Sequence, residues 1–183
     1  FGSAINPKSI IDQPYQFDFY DGGGLDVAFL SFAEIDKNGN VNVSRFGNRN
    51  DGAGGFINIA QGAKKVVFSG TLTGGGLSTS IVKGNLKINK EGKNKKFVNK
   101  VNQITYSSKD GIKRGQSILF NTDRGLFKII NGKITLIEVA RGVRIKEDII
   151  DQIPFKIKIS KNLKKISKNI YYEKKIGLKK KIN

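Results

Sequence analysis

The chain has 183 residues, of which 38% are hydrophobic and 26% charged, and its formal net charge is +18. It contains no Cys and no His, which excludes disulfide frameworks, thiolate nucleophiles, cysteine zinc sites and the Ser-His-Asp triad. Any catalysis must therefore use carboxylates, hydroxyls, amides, lysine or backbone dipoles.

The first half of the chain alternates apolar segments with glycine-rich turns. The pattern predicts, in chain order, a strand at 27–35, an Asn-Gly hairpin turn at 38–39 with a return strand at 41–46, a short helix from Phe56 after the polar loop 47–55, and a buried strand at 64–72. Residues before position 20 show mixed character, with Pro7 and Pro14 interrupting regular structure.

The second half is richer in short strands. We expect strands at 80–83 and 86–89 around Gly84-Asn85, at 103–106, at 117–121, and at 125–130 and 133–139 joined by Asn131-Gly132, followed by a helix at 145–153. Glu147 and Asp148 lie early in that helix, where its dipole favours negative charge. The fold class predicted is α/β with a β-rich second half.

We divide the chain into a main unit, residues 1–155, and a lysine-rich tail, residues 156–183, which holds eleven Lys and one Glu. Leu163, Ile166 and Ile170 fall at helical spacing, which predicts a surface helix docked on its own domain. A helix lying on an anionic membrane, or a basic nucleic-acid-binding module, remains the alternative interpretation. Arginines and stacking aromatics, which nucleic-acid readers favour, are scarce.

Three glycine clusters, at 22–24, 52–55 and 74–76, are candidates for close backbone approach to a ligand. The cluster at 52–55 directly precedes a predicted helix and could present unpaired N–H groups to an anion. Neither a P-loop nor the G-x-G-x-x-G spacing occurs in these clusters. Residue chemistry alone names no catalytic base or nucleophile.

Several motifs together resemble the bacterial acetate/propionate CoA-transferases of family I. The most specific is Tyr15 to Asp26, YQFDFYDGGGLD; the others are residues 33–36 with 39–46, the segment GAGGFI at 52–57, and AKKVVFSGT at 63–71. The resemblance continues to about Ile153 and fades after Phe155. It implies an open α/β sheet of the CoA-transferase type, of which this chain forms part of the β-half.

The resemblance also implies a mechanism. In this family a glutamate attacks an acyl-CoA thioester and forms a mixed anhydride with the acyl group. The CoA thiolate converts this anhydride into a glutamyl-CoA thioester. The acceptor carboxylate then carries out the same steps in reverse and leaves as the new acyl-CoA. The family's glutamate lies in an E-x-G-x-x-G motif, shortly before the position that matches Phe1. No glutamate of this sequence lies in such a motif. Since the chain also lacks Met, we expect the C-terminal part of a longer enzyme, inactive alone and completed by an N-terminal half.

The partners implied are an acyl-CoA and a carboxylate such as acetate, propionate or a 3-oxoacid, in a cytoplasmic homo-oligomer without nucleic-acid or membrane partners. Coenzyme A would act as substrate, with no permanently bound cofactor or metal. An acyl-CoA hydrolase of the same superfamily is a further alternative.

The family's motifs map catalytic and binding roles onto this sequence. The backbone N–H groups of Gly54 and Gly55 would stabilise the oxyanion, with Gly55 favoured. Residues expected to contact the substrate or CoA are Gly22, Gly23, Gly24, Tyr20, Asn42 and Asp51.

Overall fold

The computed structural model describes residues 5–172. The helices are α1 (Gln13–Asp21), α2 (Phe56–Gly62) and α3 (Ser108–Lys113). The strands are β1 (Val27–Ser31), β2 (Glu34–Asp36), β3 (Val41–Asn42), β4 (Arg45–Phe46), β5 (Arg49–Asn50), β6 (Lys65–Gly70), β7 (Thr73–Gly74), β8 (Ser78–Val82), β9 (Asn85–Lys90), β10 (Asn94–Lys95), β11 (Phe97–Val98), β12 (Ser117–Thr122), β13 (Gly125–Ile130), β14 (Lys133–Val139) and β15 (Lys158–Lys165). A π-helical turn (Ile145–Ile149) leads into a 3-10 turn (Ile150–Gln152), and a second 3-10 turn spans Lys168–Tyr171.

A six-stranded sheet in the order β1-β6-β12-β13-β14-β15 organises the fold. Strands β1, β6 and β12 are parallel, whereas β13 runs antiparallel to both β12 and β14. The expected α/β class with an open, largely parallel sheet is confirmed. Because β1, β6 and β12 run in the same direction, the segments that follow them lie at one edge of the sheet.

The core lies on one face of this sheet. Phe68 of β6 stacks between Phe56 of α2 and Phe120 of β12, with both ring-centroid distances 5.8 Å. Phe127 of β13 pairs with Phe120 and contacts a second aromatic ring, Phe97, at 5.3 Å. Aromatic burial therefore fixes α2 against the parallel strands, and with it the loop that precedes α2.

The hairpin turn predicted at Asn131-Gly132 is present, with φ values of 50° and 70°, as the tight turns favoured in hairpins require. The turn expected at Gly84-Asn85 lies one residue earlier, at Lys83 and Gly84, whose φ values are 51° and 73°, and Asn85 begins β9. The hairpin after Asp36 is also present, since β2 pairs antiparallel with β3. The Asp36 side chain accepts hydrogen bonds from the amides of Asn38 and Asn40 and so closes that turn.

Other predicted elements differ from the structure. The expected strand 27–35 divides into β1 and β2, because β2 leaves the main sheet to pair with β11 and β3. Residues 103–106 form no strand and contribute an isolated bridge from Tyr106 to Val41. Helix α1 occupies a segment for which no element was predicted, and the helix expected at 145–153 is a π-helical turn followed by a 3-10 turn.

The helix predicted in the lysine-rich tail is wrong for residues 158–165, which form β15 and pair parallel with β14. Leu163 packs against the core, so the apolar spacing reflects contact with the sheet rather than a helical stripe. The tail therefore joins the main unit through residue 165, while residues 173–183 lie outside the described part of the chain. None of the helices within residues 5–172 is long and apolar enough to cross a membrane.

Candidate functional site

An open cleft of about 850 Å³ separates helix α1 from the loop that leads into α2. It is mainly apolar, with polar side chains confined to α1 and backbone groups supplied by the glycine loop. Its lining residues are Ile11, Gln13, Gln16, Phe17, Tyr20, Leu30, Gly54, Gly55, Phe56 and Ile59. The cleft thus joins the motif at Tyr15 to Asp26 to the GAGGFI motif at 52–57.

The glycine loop leaves backbone donors available beside this cleft. The amides of Asp51 and Gly52 donate to the Ser44 carbonyl at 2.9 and 3.1 Å, and the Phe56 amide donates to Ala53. Within residues 5–172, the amides of Gly54 and Gly55 donate to no protein acceptor. Because unpaired N–H groups bind negatively charged oxygen readily, these two can receive an oxyanion.

Gly55 lies too close to α1 to carry a side chain without movement. A Cβ at this position would be 2.6 Å from Cζ of Phe17. Gly54 instead needs glycine for its backbone, since its φ is +52°. The two glycines allow the loop to approach Phe17 and to keep its backbone facing the cleft.

Tyr20 lies at the cleft as expected and is held there by its neighbours on α1. The Gln16 Nε2 donates a hydrogen bond to the Tyr20 hydroxyl. The Phe17 and Tyr20 rings meet edge to face at 5.4 Å. Tyr20 and Gln16 are therefore the polar side chains best placed to contact a bound ligand.

The triglycine at 22–24 lies at the C-terminal end of α1 rather than in the cleft lining. The Gly23 amide donates to the Tyr20 carbonyl and the Gly24 amide to the Phe19 carbonyl, with Gly23 at φ +83°. This pattern is a Schellman helix end. These glycines terminate α1 and so position Tyr20, while the substrate contact expected of them stays a prediction.

Asn42 and Asp51 also lie outside the cleft lining. The fully buried Asn42 amide donates to Glu34 at 2.7 Å and to the Arg45 carbonyl at 2.6 Å, and its oxygen accepts from the Ser44 and Arg45 amides. With its hydrogen-bonding capacity used internally, Asn42 stabilises the turn after β3 instead of forming a pocket. Asp51 pairs with Arg49 at 2.8 Å on the surface.

No carboxylate in the described chain lines the cleft. Glu34 accepts hydrogen bonds from Asn42 and Asn102, and Glu91 is paired with Arg124. Residues 5–172 also contain no group of three potential metal ligands. The described residues therefore give the cleft hydrogen-bond donors and apolar walls but no carboxylate nucleophile.

Of the α1 residues that line the cleft, only Tyr20 was predicted from the sequence. Gln13, Gln16 and Phe17 lie three or four residues from one another or from Tyr20, the spacing of a single helical face, a signal hidden by Pro14. Proline is tolerated in the first turn of a helix, which is where Pro14 lies. Leu30, near the end of β1, lines the cleft as well, and no neighbouring sequence pattern indicates this.

Known proteins resemble the chain over nearly its whole length. It is 43% identical to acetate CoA-transferase YdiF of Escherichia coli K12 and 46% identical to caffeate CoA-transferase of Acetobacterium woodii, in each case over 97% of this chain. The match thus extends past Phe155, where the resemblance was expected to fade. The chain spans only about a third of these relatives, 33% and 35% of their lengths.

Solved structures give the same result. The acyl-CoA transferase YdiF apoenzyme of E. coli O157:H7 superposes with a TM-score of 0.92 at 43% identity, covering 94% of this chain and 34% of that chain. A structure of the same protein described as a thioester complex with CoA matches with a TM-score of 0.91. No protein-family model matches the chain.

Proposed function

We propose that this chain, related over 97% of its length to bacterial CoA-transferases, supplies the oxyanion-binding wall of a CoA-transferase active site. The reaction would move CoA from an acyl-CoA to a free carboxylate. The reacting glutamate would belong to polypeptide outside residues 1–183.

The observation that carries this proposal is the pair of free amides at Gly54 and Gly55 on an open, mainly apolar cleft. Attack by a carboxylate on a thioester places negative charge on the thioester oxygen. Preorganised donors at that oxygen typically lower the barrier by about 3 kcal/mol each. The glycine loop has the required donors, and the apolar walls strengthen their effect by excluding water.

The substrate class follows from the shape of the cleft and from the relatives. Leu30, Phe56 and Ile59 offer an apolar surface for an acyl group, and Gln16 and Tyr20 offer hydrogen bonds to a carboxylate. Two relatives are named for acetate and caffeate. We infer a short acyl-CoA donor and a carboxylate acceptor, with CoA as a substrate rather than a resident cofactor.

We further infer an assembly with additional polypeptide. The chain corresponds to a third of its relatives, and no acidic side chain from residues 5–172 reaches the cleft. A glutamate from the partner polypeptide would enter the cleft opposite Gly54 and Gly55. Homo-oligomerisation and a cytoplasmic location belong to the same proposal.

Two variants of Gly55 test the oxyanion role in the chain assembled with the part of E. coli YdiF that it does not cover. Gly55→Ala introduces the contact with Phe17 but keeps the N–H, whereas Gly55→Pro introduces that contact and removes the N–H. The φ of Gly55 is −79°, which proline accepts. In an acyl-CoA and acetate exchange assay, we expect Gly55→Pro to have a kcat about 100-fold below that of Gly55→Ala.

Equal kcat values for the two Gly55 variants would contradict the oxyanion role. Gly47→Ala is the control for adding a Cβ to the same loop, because Gly47 has open space around it and lies outside the cleft. Release of free acid without any added carboxylate would identify a hydrolase instead of a transferase.

A further inference from the structure

Helix α2, whose N-terminal end follows the glycine loop, is held at its other end by the side chain of Gln116. This residue directly precedes β12, and its Nε2 lies 2.9, 3.2 and 2.6 Å from three backbone carbonyl oxygens at the end of α2, those of Ala60, Gln61 and Ala63. The last carbonyls of a helix have no acceptor role within the helix itself. Gln116 therefore caps the C-terminal end of α2.

The partners of the Gln116 amide fix its orientation. Its Oε1 accepts hydrogen bonds from the Arg114 guanidinium at 3.1 Å and from the Tyr106 hydroxyl at 2.9 Å. Because arginine only donates and backbone carbonyls only accept, each side of the amide faces groups of the complementary kind. Burial raises the pKa of Tyr106 to about 12, so its hydroxyl stays protonated and can donate to Gln116.

Tyr106 connects this cap to the opposite end of α2. Its ring lies 5.0 Å from that of Phe68, on which Phe56, the first residue of α2, stacks at 5.8 Å. A Cβ at Gly111 would overlap the Tyr106 hydroxyl and would lie 2.8 Å from Oε1 of Gln116, so glycine at this position leaves room for the hydrogen bond between the two side chains. Both ends of the helix are thus tied to one buried tyrosine.

The capped end of α2 also supports the α1 wall of the cleft. A Cβ at Gly62, the last residue of α2, would overlap the Tyr20 carbonyl, so the end of α1 rests directly on the last turn of α2. The Asn58 Nδ2 donates to both carboxylate oxygens of Asp21, at 3.1 and 2.9 Å. A displacement of α2 would therefore move Tyr20 together with the glycine loop.

We propose that Gln116 is a positioning residue for CoA transfer, which acts by fixing α2 and thereby the amides of Gly54 and Gly55. The proposal rests on the proposed function of those amides, since Gln116 itself lies outside the cleft lining. Helix α2 has seven residues, about 10 Å of helix, so a shift of its C-terminal end reaches its first residue. A displacement of about 1 Å at a reacting group can lower a rate about 100-fold.

The test uses Gln116→Met in the chain assembled with the part of E. coli YdiF that it does not cover. Methionine keeps the length of the side chain and removes its amide. In an acyl-CoA and acetate exchange assay, we expect kcat to fall about 10-fold and KM to change by less than about 2-fold. Gln152→Met is the matched control, because Gln152 is also half-buried and donates to one backbone carbonyl, that of Glu147, but lies outside the cleft lining. It should leave kcat unchanged.

Two readouts separate positioning from a general loss of structure. In the Gly55→Pro background, Gln116→Met should lower kcat by only about 2-fold, because effects that pass through one group are not additive. A fraction of unfolded protein would instead lower kcat equally in both backgrounds. Hydrogen exchange measured by mass spectrometry should accelerate in α2, where the Ile59 amide donates to the Gly55 carbonyl, while β6 keeps its protection.

Three results would overturn the positioning role of Gln116: an unchanged kcat in Gln116→Met, an equal loss of kcat with and without Gly55→Pro, or unchanged hydrogen exchange in α2. The proposed function fails separately. Absence of CoA transfer in the unmodified assembly, together with accelerated exchange of α2 in Gln116→Met, would refute the transferase activity and retain the anchoring of the glycine loop by Gln116.

Discussion

Arg124 and Glu91 form a bidentate ion pair, with Nη2 to Oε1 at 2.6 Å and Nη1 to Oε2 at 2.8 Å. The Arg124 side chain is fully buried, and it also donates to the Asp148 carbonyl at 2.6 Å. The pair joins the turn after β12 to the segment after β9 and to the π-helical turn. A buried guanidinium needs these acceptors, because leaving it unpaired carries a large desolvation penalty.

We therefore predict that Glu91→Ala destabilises the fold by about 3 kcal/mol, the lower end of the range for broken buried pairs, since Glu91 itself is partly exposed. Urea unfolding monitored by circular dichroism measures the change. Asp26→Ala, which breaks the exposed pair between Asp26 and Lys64, is the control and should leave the free energy of unfolding nearly unchanged. Equal effects of the two substitutions would contradict a dominant role for the buried pair.

The same pair predicts a pH dependence. Hydrogen bonding from Arg124 lowers the pKa of Glu91 below its usual 4.5, despite partial burial. The unfolded state therefore binds more protons in acid, so the stabilisation is complete above pH 4.5 and is lost as the pH falls through the folded-state pKa. Free energies of unfolding between pH 6 and pH 3 should decline, and Glu91→Gln should make that decline shallower.

Asp148 should contribute to the acid sensitivity in the same direction. Burial alone would raise the pKa of Asp148, but hydrogen bonds from the Arg144 side chain and amide outweigh it and lower the pKa. A decline of the same steepness in Glu91→Gln and in the unmodified chain would assign the acid sensitivity to other carboxyl groups.

The end of helix α1 predicts a distinctive substitution pattern at Gly23. Gly23→Ala places a Cβ at φ +83° and should cost roughly 1 kcal/mol of stability, although no atom lies close enough to clash. Gly23→Asn should recover part of this loss, because Asn tolerates the left-handed region better than Ala. Thermal unfolding midpoints of the unmodified chain, Gly23→Asn and Gly23→Ala should decrease in that order. A higher midpoint for Gly23→Ala than for Gly23→Asn would argue against the helix-end role.

The strand formed by the lysine-rich tail makes a prediction about Leu163. Since its side chain packs against the core from β15, Leu163→Ala should lower the free energy of unfolding by about 1–2 kcal/mol, less than for a fully buried leucine. Lys161→Ala, at an exposed position of the same strand, should change it by less than about 0.5 kcal/mol. Denaturant unfolding measures both; a neutral Leu163→Ala would mean that β15 adds little to the sheet.

Much of the fold could be predicted where a few neighbouring residues decide the backbone. Asn131-Gly132 produces a hairpin because both residues tolerate a positive φ, and the apolar segment around Val66 is buried in a parallel strand. The glycine loop at 52–55 was identified by its motif and does border the cleft. These features depend on conformational preferences within a few residues.

Tertiary contacts decided the remainder. Residues 158–165 form a strand because β14 offers a free edge, a fact that lysine and leucine spacing cannot convey. Asn42 was expected at a pocket but is saturated by Glu34 and Arg45, which lie across the turn. Amino-acid order alone determined the Asn131-Gly132 turn, the buried strand and the glycine loop, because their energetics are local. Which side chains meet at the cleft and in the Arg124 ion pair depended on the packing of segments that are distant in the sequence.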